Sequence, residues 1–302
     1  MTLPHFHIFR QVGVYSTDVY PAGVCPTDVY PAGVCPADVY PAGVYPENRA
    51  LELILEKDTI THMVTLRMKA RERFVLVDQN ARADTFELLE APSRNLGQVR
   101  VRFCERRQYS RAATVSLVQG ISKAERMDQT IRQVTELGVA FIIPMQSARS
   151  TVLLTPETSL GKQERWQRLA HAAASQAACA FVPEVAAPAK LSDILPLVSQ
   201  NDVLLVAWEE YTGGGIHEAL AGVGKNAHVC VFVGPEGGFD EEEVKTLCAA
   251  GAKPVSLGGT ILRTETAAVI ACALVLHELG ELGNRTGGVY DDEPLCNDGL
   301  RI

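Results

Sequence analysis

The sequence predicts an α/β protein of two domains, in which a small N-terminal β-barrel is followed by a parallel sheet covered by helices. Its 302 residues correspond to about two domains at roughly 150 residues each. Residues 49–112 contain short apolar strands separated by turn residues, as in a small barrel. From residue 113 apolar strands alternate with helical patterns, which favours a parallel sheet with helices on both faces. We expect domains at 1–112 and 113–282, and a flexible tail at 283–302.

The elements follow from apolar runs and from helix-end signals. In the barrel we predict strands at Leu51–Leu55, Arg73–Val77, Thr85–Leu89 and Gln98–Phe103, with residues 1–9 as a candidate first strand. In the second domain we predict strands at Thr114–Gln119, Phe141–Pro144, Val203–Ala207, Val229–Val233 and Pro254–Leu257. Helices are predicted at about 124–137, 162–180, 240–250 and 266–281. Asp240 and Glu243 form a capping box, and Gly138 and Gly251 stand where helices should end.

Three near-identical units of ten residues follow the candidate first strand. They are DVYPAGVCPT (18–27), DVYPAGVCPA (28–37) and DVYPAGVYPE (38–47). Each unit contains two prolines and one glycine, which disfavour both helix and central strand. We interpret 18–47 as a Pro-rich surface loop inserted in the barrel. The alternative is a ligand for a proline-binding domain.

The net charge of −8 argues against general nucleic-acid binding, but this charge is unevenly distributed. Residues 1–48 carry −3, residues 49–132 carry +5 and residues 133–302 carry −10. The basic middle region indicates either contact with an anionic partner or arginines that only solvate the outer face of strands. The arginines concerned are Arg94, Arg100, Arg102, Arg106, Arg107 and Arg111.

Several other protein classes are disfavoured by the sequence. The longest uninterrupted apolar run is Ala267–Leu276, whereas a membrane-spanning helix needs about 18 such residues or more. We find no basic segment followed by an apolar one at the N-terminus, so we expect no secretion signal. The eight cysteines show neither CxxC nor paired spacing. We therefore expect reduced thiols in a cytoplasmic protein, without a metal site or a disulfide framework.

Two glycine-rich turns mark the expected ligand site. In an open α/β sheet, ligands bind beyond the carboxyl ends of the strands. The turn after the first strand of this domain has a single glycine, Gly120, so a GxGxxG nucleotide site is not expected there. Glycines concentrate instead at Gly234–Gly238 and Gly258–Gly259, after two late strands that we expect to be adjacent. Because glycine lets the backbone approach a ligand closely, we predict a pocket walled by main chain and suited to adenine. The alternative is two tight turns before helices.

Arg263 is singled out by its position. It belongs to the string Thr-Ile-Leu-Arg-Thr-Glu-Thr (260–266), which leads into an apolar helix. Capping and the helix dipole account for one threonine and for Glu265. A cation at a helix N-terminus is unfavourable unless it faces an anion. We therefore predict a functional role for Arg263 beside an anionic ligand.

Two late segments of the chain closely resemble those of a known family. The segments are VFVGPEGGFDEEEV (231–244) and VSLGGTILRTETAAV (255–269), and the family is the 16S rRNA uridine-N3 methyltransferases of the SPOUT superfamily. The resemblance continues upstream in ERMDQTIRQVTELGV (125–139), PMQSARST (144–151) and ERWQRLAHAAASQA (164–177). It is weaker in HMVTLR (62–67) and MTLPHFHIF (1–9). It covers most of the chain outside the repeats and the tail.

The resemblance implies a fold, a cofactor and partners. The fold would be an N-terminal PUA-like RNA-binding β-barrel followed by a C-terminal trefoil-knotted SPOUT methyltransferase domain. The family uses S-adenosylmethionine, acts as a homodimer and methylates N3 of a uridine in small-subunit rRNA. The implied partners are therefore 16S rRNA or the small ribosomal subunit and a second copy of the chain. We expect a cytoplasmic enzyme of rRNA processing and ribosome biogenesis, with no membrane contact and no metal.

The chemistry assigns roles to three residues. Methylation at N3 requires loss of the imide proton, and the resulting negative charge spreads onto the two uracil carbonyl oxygens. A guanidinium at Arg263 would stabilise that anion. Glu236 or Glu265 would accept the proton, directly or through water; the sequence does not choose between them, and Glu265 is equally a partner for the helix dipole.

The resemblance also implies binding residues by their motif positions. The implied cofactor contacts are Ala207, Gly234, Pro235, Glu236, Gly237, Gly238, Leu257, Gly258, Ile261, Leu262, Thr264, Thr266 and Ala267. The implied RNA contacts are His62, Arg67, Arg71, Arg149 and Gln176. His62 is equally interpretable as a structural histidine.

Two features depart from the family pattern. Many relatives carry Glu-Gln-Ser and then an arginine in the long helix, where this chain has Ser175-Gln176-Ala177 and Cys179. One expected basic contact is therefore missing. The acidic repeats also occupy the first connection of the barrel, where they would either project away from RNA or hinder its docking.

Two other functions compete with this interpretation. One is a knotted ribose 2′-O-methyltransferase, against which the ILRTETA string and the preceding barrel argue. The other is a non-catalytic RNA-binding or ribosome-assembly factor, against which the intact Gly234–Gly238 turn and Arg263 argue.

Overall fold

The protein is described by a computed structural model, in which the described residues form two compact units, one up to Tyr109 and one from Ser110. The described residues are 5–7, 13–16, 50–55, 57–78, 81–94, 98–150 and 156–283. The repeats at 18–47 and all of the predicted tail except Gly283 lie outside them.

The N-terminal unit is a six-stranded sheet with one helix. The strands are β1 (His5–His7), β2 (Gly13–Ser16), β3 (Ala50–Ile54), β4 (Arg73–Val77), β5 (Arg82–Leu88) and β6 (Gln98–Gln108). Their order is β1-β4-β5-β6-β3-β2, and every neighbouring pair is antiparallel except β1 and β4. The four strands predicted between 51 and 103 are thus confirmed, and the candidate strand within 1–9 is β1. Closure of this sheet into a barrel stays a prediction.

Helix α1 (Lys57–Thr65) is an element that the sequence reasoning missed. Ile60 and Met63, one helical turn apart, are buried in the core of the unit. Val64 packs against the same core, so the spacing 60, 63 and 64 is the signal that could have found this short helix. His62 therefore lies on a helix and not on a barrel strand.

The C-terminal unit is the predicted parallel α/β structure. Its strands are β7 (Thr114–Gly120), β8 (Phe141–Gln146), β9 (Glu184–Val185), β10 (Ala189–Lys190), β11 (Val203–Ala207), β12 (His228–Val233) and β13 (Lys253–Val255). Its helices are α2 (Ala124–Leu137), α3 (Pro156–Gln176), α4 (Leu191–Val198), α5 (Ile216–Ala219), α6 (Glu241–Ala249) and α7 (Thr264–Leu279). The short elements β9, β10, α4 and α5 were not predicted.

Alternate residues of the central strands fill two separate cores. Leu117 of β7 and Val231 of β12 pack in a core with α2, α3 and α7. Val118 and Phe232, the next residues on the same strands, pack in a second core with α4 and α6. Since successive side chains of a strand point to opposite faces, helices cover both faces of the sheet as predicted. Among the described helices, none has the length and hydropathy needed to cross a membrane.

The strand order corrects one expectation about the glycine turns. The order is β10-β8-β7-β12-β11-β13, with β9 beside β8, and every pair is parallel. The strands that precede the two glycine turns, β12 and β13, are therefore not adjacent, because β11 lies between them. The carboxyl end of β11 thus stands between the two turns.

The helix ends agree with their sequence signals. Asp240 caps α6 by accepting the Glu242 amide, and the Glu243 carboxylate accepts the Asp240 amide at 3.0 Å. Gly138 ends α2 in the left-handed conformation, and Gly251 follows α6 in the same conformation. Helix α7 begins at Thr264, two residues before the predicted start, so that Arg263 is its N-cap.

Candidate functional site

A cavity of about 790 Å³ opens at the carboxyl ends of β11, β12 and β13. Both glycine turns line it, and so does the N-terminus of α7. All of the residues predicted to contact a cofactor line the cavity except Gly237 and Thr266. Gly237 lies beside the cavity on the exposed side of its turn, and Thr266 is exposed on α7.

The first turn is built by glycines at close backbone approaches. The Gly238 amide donates to the Pro235 carbonyl at 3.0 Å, and Gly238 has a φ of +68°. A side chain at Gly120, at the end of β7, would overlap the backbone nitrogen of Pro235. A side chain at Gly234 would stand 2.9 Å from the Gly238 carbonyl carbon. These glycines let the turn fold tightly against the sheet, so that its main chain forms a wall of the cavity.

Buried hydrogen bonds tie the first glycine turn to the start of α7. The Thr264 hydroxyl, at the start of α7, donates to the Gly234 carbonyl. The Gln119 amide, fully buried at the end of β7, donates to the same carbonyl at 3.3 Å and to the Thr264 hydroxyl at 2.9 Å. Since buried polar groups hold their partners strongly, this triad fixes the first turn to the start of α7. Gln119 was not among the predicted site residues.

Four charged residues line the cavity, and two of them neutralise each other. Arg126 of α2 stands 3.6 Å from Glu236 Oε1, which also accepts the Lys123 amide at 3.0 Å. Glu236 Oε2 is buried and has no hydrogen-bond partner among the described residues. The side chains of Arg263 and Glu209 form no hydrogen bond or ion pair within the described part of the chain. The cavity therefore holds one fixed ion pair, one unpaired cation and one unpaired anion.

Glu265 does not line this cavity. It is buried in the first turn of α7, and its Oε2 atom has no partner among the residues the structure describes. Its position in the first helical turn suits the dipole of α7. Of the two carboxylates that the sequence left open as proton acceptor, only Glu236 faces the cavity.

The residues predicted to contact RNA lie outside the cavity. Arg149, in the turn after β8, donates to the Gly237 carbonyl at 3.2 Å and so stands beside the first glycine turn. Gln176 is exposed at the last residue of α3. In the N-terminal unit, His62, Arg67 and Arg71 are exposed, and the two arginines have positive φ angles of 56° and 70°.

Most arginines of the basic middle region are already occupied. Arg106 forms two hydrogen bonds with the buried Asp84, and Arg102 stands 3.6 Å from Glu87. Arg107 pairs with Glu105 at 3.3 Å. Arg111 lies on the Phe181 ring at 3.9 Å, and burial lowers the pKa of its guanidinium. For these four arginines the structure supports a role on the protein's own surface or in its packing, and not contact with an anionic partner.

Cys179, at the position where the family resemblance led us to expect an arginine, is a half-buried thiol. Its Sγ atom lies 3.7 Å from the Thr135 carbonyl. Burial raises the pKa of the Cys179 thiol to about 11, so it stays protonated and unreactive near neutral pH. The described cysteines are all free, and the described residues contain no cluster suited to a metal ion.

The segment after β11 is the main part of the site that sequence reasoning missed. Trp208, Glu209, Tyr211 and Thr212 all line the cavity. The position of β11 between β12 and β13 brings this segment between the glycine turns. Ligands of open α/β sheets bind beyond the carboxyl ends of the strands. Applying this rule to β11 as well as to its neighbours could have identified the segment.

Comparison with known proteins gives concordant matches. A sequence model of the RNA methyltransferase domain family matches residues 110–276. The ribosomal RNA small subunit methyltransferase E of Bacillus subtilis is 33% identical over 168 residues, which are 54% of this chain and 66% of that protein. The protein of the same name from Mycobacterium tuberculosis is 32% identical over 187 residues, 61% of this chain and 69% of that protein. The chain spans about half, 52%, of the Synechocystis protein of that name.

Solved structures agree with the sequence matches. A putative methyltransferase from Legionella pneumophila, in complex with its bound cofactor SAM, is 28% identical with a TM-score of 0.66 over 78% of this chain and 94% of that chain. A Neisseria gonorrhoeae ribosomal RNA small subunit methyltransferase E, bound to S-adenosyl methionine, is 23% identical with a TM-score of 0.68 over 91% of this chain and 98% of that chain. The second likeness shows the fold.

Proposed function

The chain belongs to the RNA methyltransferase domain family, within the ribosomal RNA small subunit methyltransferases E, and on that premise we propose that it methylates N3 of a uridine in small-subunit rRNA with S-adenosylmethionine. The observation that carries the proposal is the meeting of both glycine turns at one cavity, with the unpaired Arg263 guanidinium at its edge. Turns far apart, or facing solvent, would have argued against an enzyme.

The residues of the cavity fit S-adenosylmethionine. The volume of about 790 Å³ lies within the roughly 300–1,000 Å³ of small-molecule sites. No atom stands within 4 Å of the position a side chain would take at Gly258 or Gly259, so open space adjoins the backbone there. Main-chain groups of the two turns would hold the adenine, and Leu257, Ile261 and Leu262 would supply apolar contacts. The bound cofactor would supply an electrophilic methyl group.

Arg263 would stabilise the anionic uracil. Its guanidinium is exposed, and it projects from the N-cap of α7 without capping the helix through its side chain. Because no carboxylate within the described residues neutralises it, it remains available for the negative charge that develops on the uracil carbonyl oxygens. A guanidinium N–H that donates to one of these oxygens leaves the N3 lone pair open to the methyl group.

Glu236 would accept the N3 proton. Its Oε1 atom is held by the Lys123 amide and by Arg126, which fixes the orientation of the side chain. Its Oε2 atom lacks a partner in the described structure and belongs to a residue that lines the cavity. Because Oε2 is buried, a small rotation of the side chain would bring it to the uridine or to a water that carries the proton, and the carboxylate would then act as general base.

The remaining predictions about RNA and fold stand as parts of this proposal. Arg149 beside the first glycine turn supports an RNA contact next to the cavity. The exposed His62, Arg67 and Arg71 support phosphate contacts by a PUA-like barrel formed by 1–112. A trefoil knot within 113–282 remains an expectation that comes from the family resemblance. The small ribosomal subunit as substrate would place the enzyme in the cytoplasm.

A homodimer is supported by the outer face of α7. This helix is apolar from Ala267 to Leu276, yet Ile270 and Leu274, one turn apart, are exposed by 38% and 42%. A helix that is apolar all round is normally buried, and a second copy packed on this face would bury it. Light scattering of the wild type and of Ile270→Glu should show a dimer and a smaller species, respectively.

A methylation assay on small ribosomal subunits tests the proposed function. Mass analysis of the product nucleosides should show 3-methyluridine. Ribose-methylated nucleosides would instead identify a 2′-O-methyltransferase. If calorimetry detected no binding of S-adenosylmethionine, the chain would be a non-catalytic RNA-binding factor.

A further inference from the structure

Glu209 is a charged residue of the cavity that the proposed reaction does not use. It lies two residues beyond β11 and lines the cavity together with Trp208 and Tyr211. Within the described part of the chain, its carboxylate forms no hydrogen bond and no ion pair. Glu236, the other carboxylate of the cavity, is instead held by Arg126 and Lys123.

The carboxylate of Glu209 reaches the first glycine turn. A side-chain carbon at Gly238 would overlap Glu209 Oε1, so this oxygen lies against the Gly238 α-carbon. Glycine at 238 therefore makes room for the carboxylate as well as for the turn. Glu209 Oε1 is thus at the wall of the cavity that the main chain of Gly234–Gly238 forms.

The backbone on both sides of Glu209 is anchored. The Trp208 amide donates to the Val255 carbonyl at 3.2 Å, and the Tyr211 amide donates to the Trp208 carbonyl at 3.1 Å. Further along, the Ser256 amide donates to the Gly214 carbonyl at 3.1 Å. The first and third of these bonds hold the segment to the end of β13 and to the loop after it, so the carboxylate is presented from a fixed backbone.

We propose that Glu209 recognises a positive charge of the bound methyl donor. The proposal rests on the proposed function, because S-adenosylmethionine carries two cationic groups, the sulfonium and the α-ammonium. Glu209 is an exposed residue at the wall of the cavity, and its carboxylate has no partner among the described residues. It can therefore form a charge-assisted contact with such a cation, and such contacts are the strong ones. Arg263, of opposite sign, cannot take this role. Glu209 is then a binding residue for the donor, distinct from the groups that act on uracil.

Calorimetry with three ligands tests the proposal. The ligands are S-adenosylmethionine, S-adenosylhomocysteine, which keeps the ammonium but lacks the sulfonium, and methylthioadenosine, which is uncharged and keeps the adenosine. We expect Glu209→Gln to weaken S-adenosylmethionine binding about tenfold and to leave methylthioadenosine binding unchanged. Weaker binding of S-adenosylhomocysteine as well would assign the contact to the ammonium, and unchanged binding would assign it to the sulfonium.

Glu210→Gln is the matched control, because Glu210 is the neighbouring carboxylate, is exposed like Glu209, and does not line the cavity. It should bind all three ligands like the wild type, and melting curves should show both variants folded. Parallel weakening of methylthioadenosine by Glu209→Gln, or no change for any ligand, would overturn the proposal. In those cases the proposed function would still hold, provided that the wild type binds S-adenosylmethionine and transfers its methyl group. A wild type that binds no S-adenosylmethionine would refute both the role of Glu209 and the proposed function.

Discussion

The arginine-rich sheet of the N-terminal unit and the cavity of the C-terminal unit use charge in opposite ways. On the sheet, Arg102 and Arg106 face carboxylates on the neighbouring strand. In the cavity, Arg263 and Glu209 have no partners among the described residues. These two arginines of the sheet are therefore already neutralised, whereas the cavity keeps one cation without a partner among the described residues.

The difference shows that a count of charges is a weak guide to a binding site. A paired arginine has already exchanged its hydration for a carboxylate, and exposed pairs contribute little to stability. An arginine without a partner in a concave site keeps its full attraction for an anion. The charge pattern of residues 49–132 drew attention to the sheet, whereas the position of Arg263 at a helix N-terminus was the better signal.

The largest effect that we expect is a loss of methyl transfer when Arg263 is replaced. Arg263→Ala removes the cavity's unpaired cation and should lower the rate of methyl transfer by about 10²–10³, the usual cost of removing one group that stabilises transition-state charge. The affinity for S-adenosylmethionine should stay within about threefold of the wild type. Single-turnover kinetics on small ribosomal subunits, with calorimetry for the cofactor, measures both quantities.

Arg132→Ala is the control for that loss. Arg132 is an exposed arginine of α2 that does not line the cavity, and it is also unpaired among the described residues. If the cavity gives Arg263 its role, Arg132→Ala should keep the wild-type rate. Equal rates for all three proteins would remove Arg263 from the mechanism.

A smaller effect is expected at Gly238, where the turn and the unpaired Glu209 meet. Gly238→Ala places a side chain at a φ of +68°, which costs about 1–2 kcal/mol, and displaces the Glu209 carboxylate. We expect S-adenosylmethionine binding to weaken about fivefold to tenfold while the protein stays folded. In the Glu209→Gln background, Gly238→Ala should weaken binding less, because the displaced contact is already absent.

Gly161→Ala is the control for Gly238→Ala, because the same substitution at Gly161 should stabilise the protein. Gly161 lies on α3 and is exposed, and no atom lies within 4 Å of the position its added side chain would take. Alanine there should stabilise the protein by about 0.5–1 kcal/mol, because it favours the helix, without changing cofactor affinity. An affinity loss at Gly161 as large as that at Gly238 would show that the contact with Glu209 is not the cause.

The sequence was most informative where a local rule decides the structure. The strand Val203–Ala207 and the helix 124–137 were predicted at their exact bounds, since apolar runs and a terminal glycine define them. The cavity was predicted because glycines at close approaches are local signals. Strand β6 extends five residues beyond the predicted Phe103, because cross-strand pairs such as Arg106 with Asp84 stabilise a charged stretch that has no apolar run.

The parts that sequence reasoning missed depend on contacts distant in the chain. Gln119 is a site residue only because β7 lies beside β12, which brings it to Gly234. Glu209 enters the cavity because β11 lies between β12 and β13. The choice of Glu236 over Glu265 depends on which carboxylate faces the cavity. Neither strand order nor side-chain direction is contained in a local pattern.

The smallest effects are expected on the N-terminal sheet, where pairing has already used the charges. Arg106→Ala would leave the buried Asp84 with only the more distant Arg82, whose Nε stands 3.7 Å away, and should destabilise the unit by about 1–3 kcal/mol. Arg102→Ala removes an exposed pair with Glu87 and should cost less than about 1 kcal/mol.

Urea unfolding should be followed by far-UV circular dichroism, because both tryptophans, Trp166 and Trp208, lie in the C-terminal unit. Equal losses for the two variants would show that burial of the carboxylate does not set the strength of these pairs.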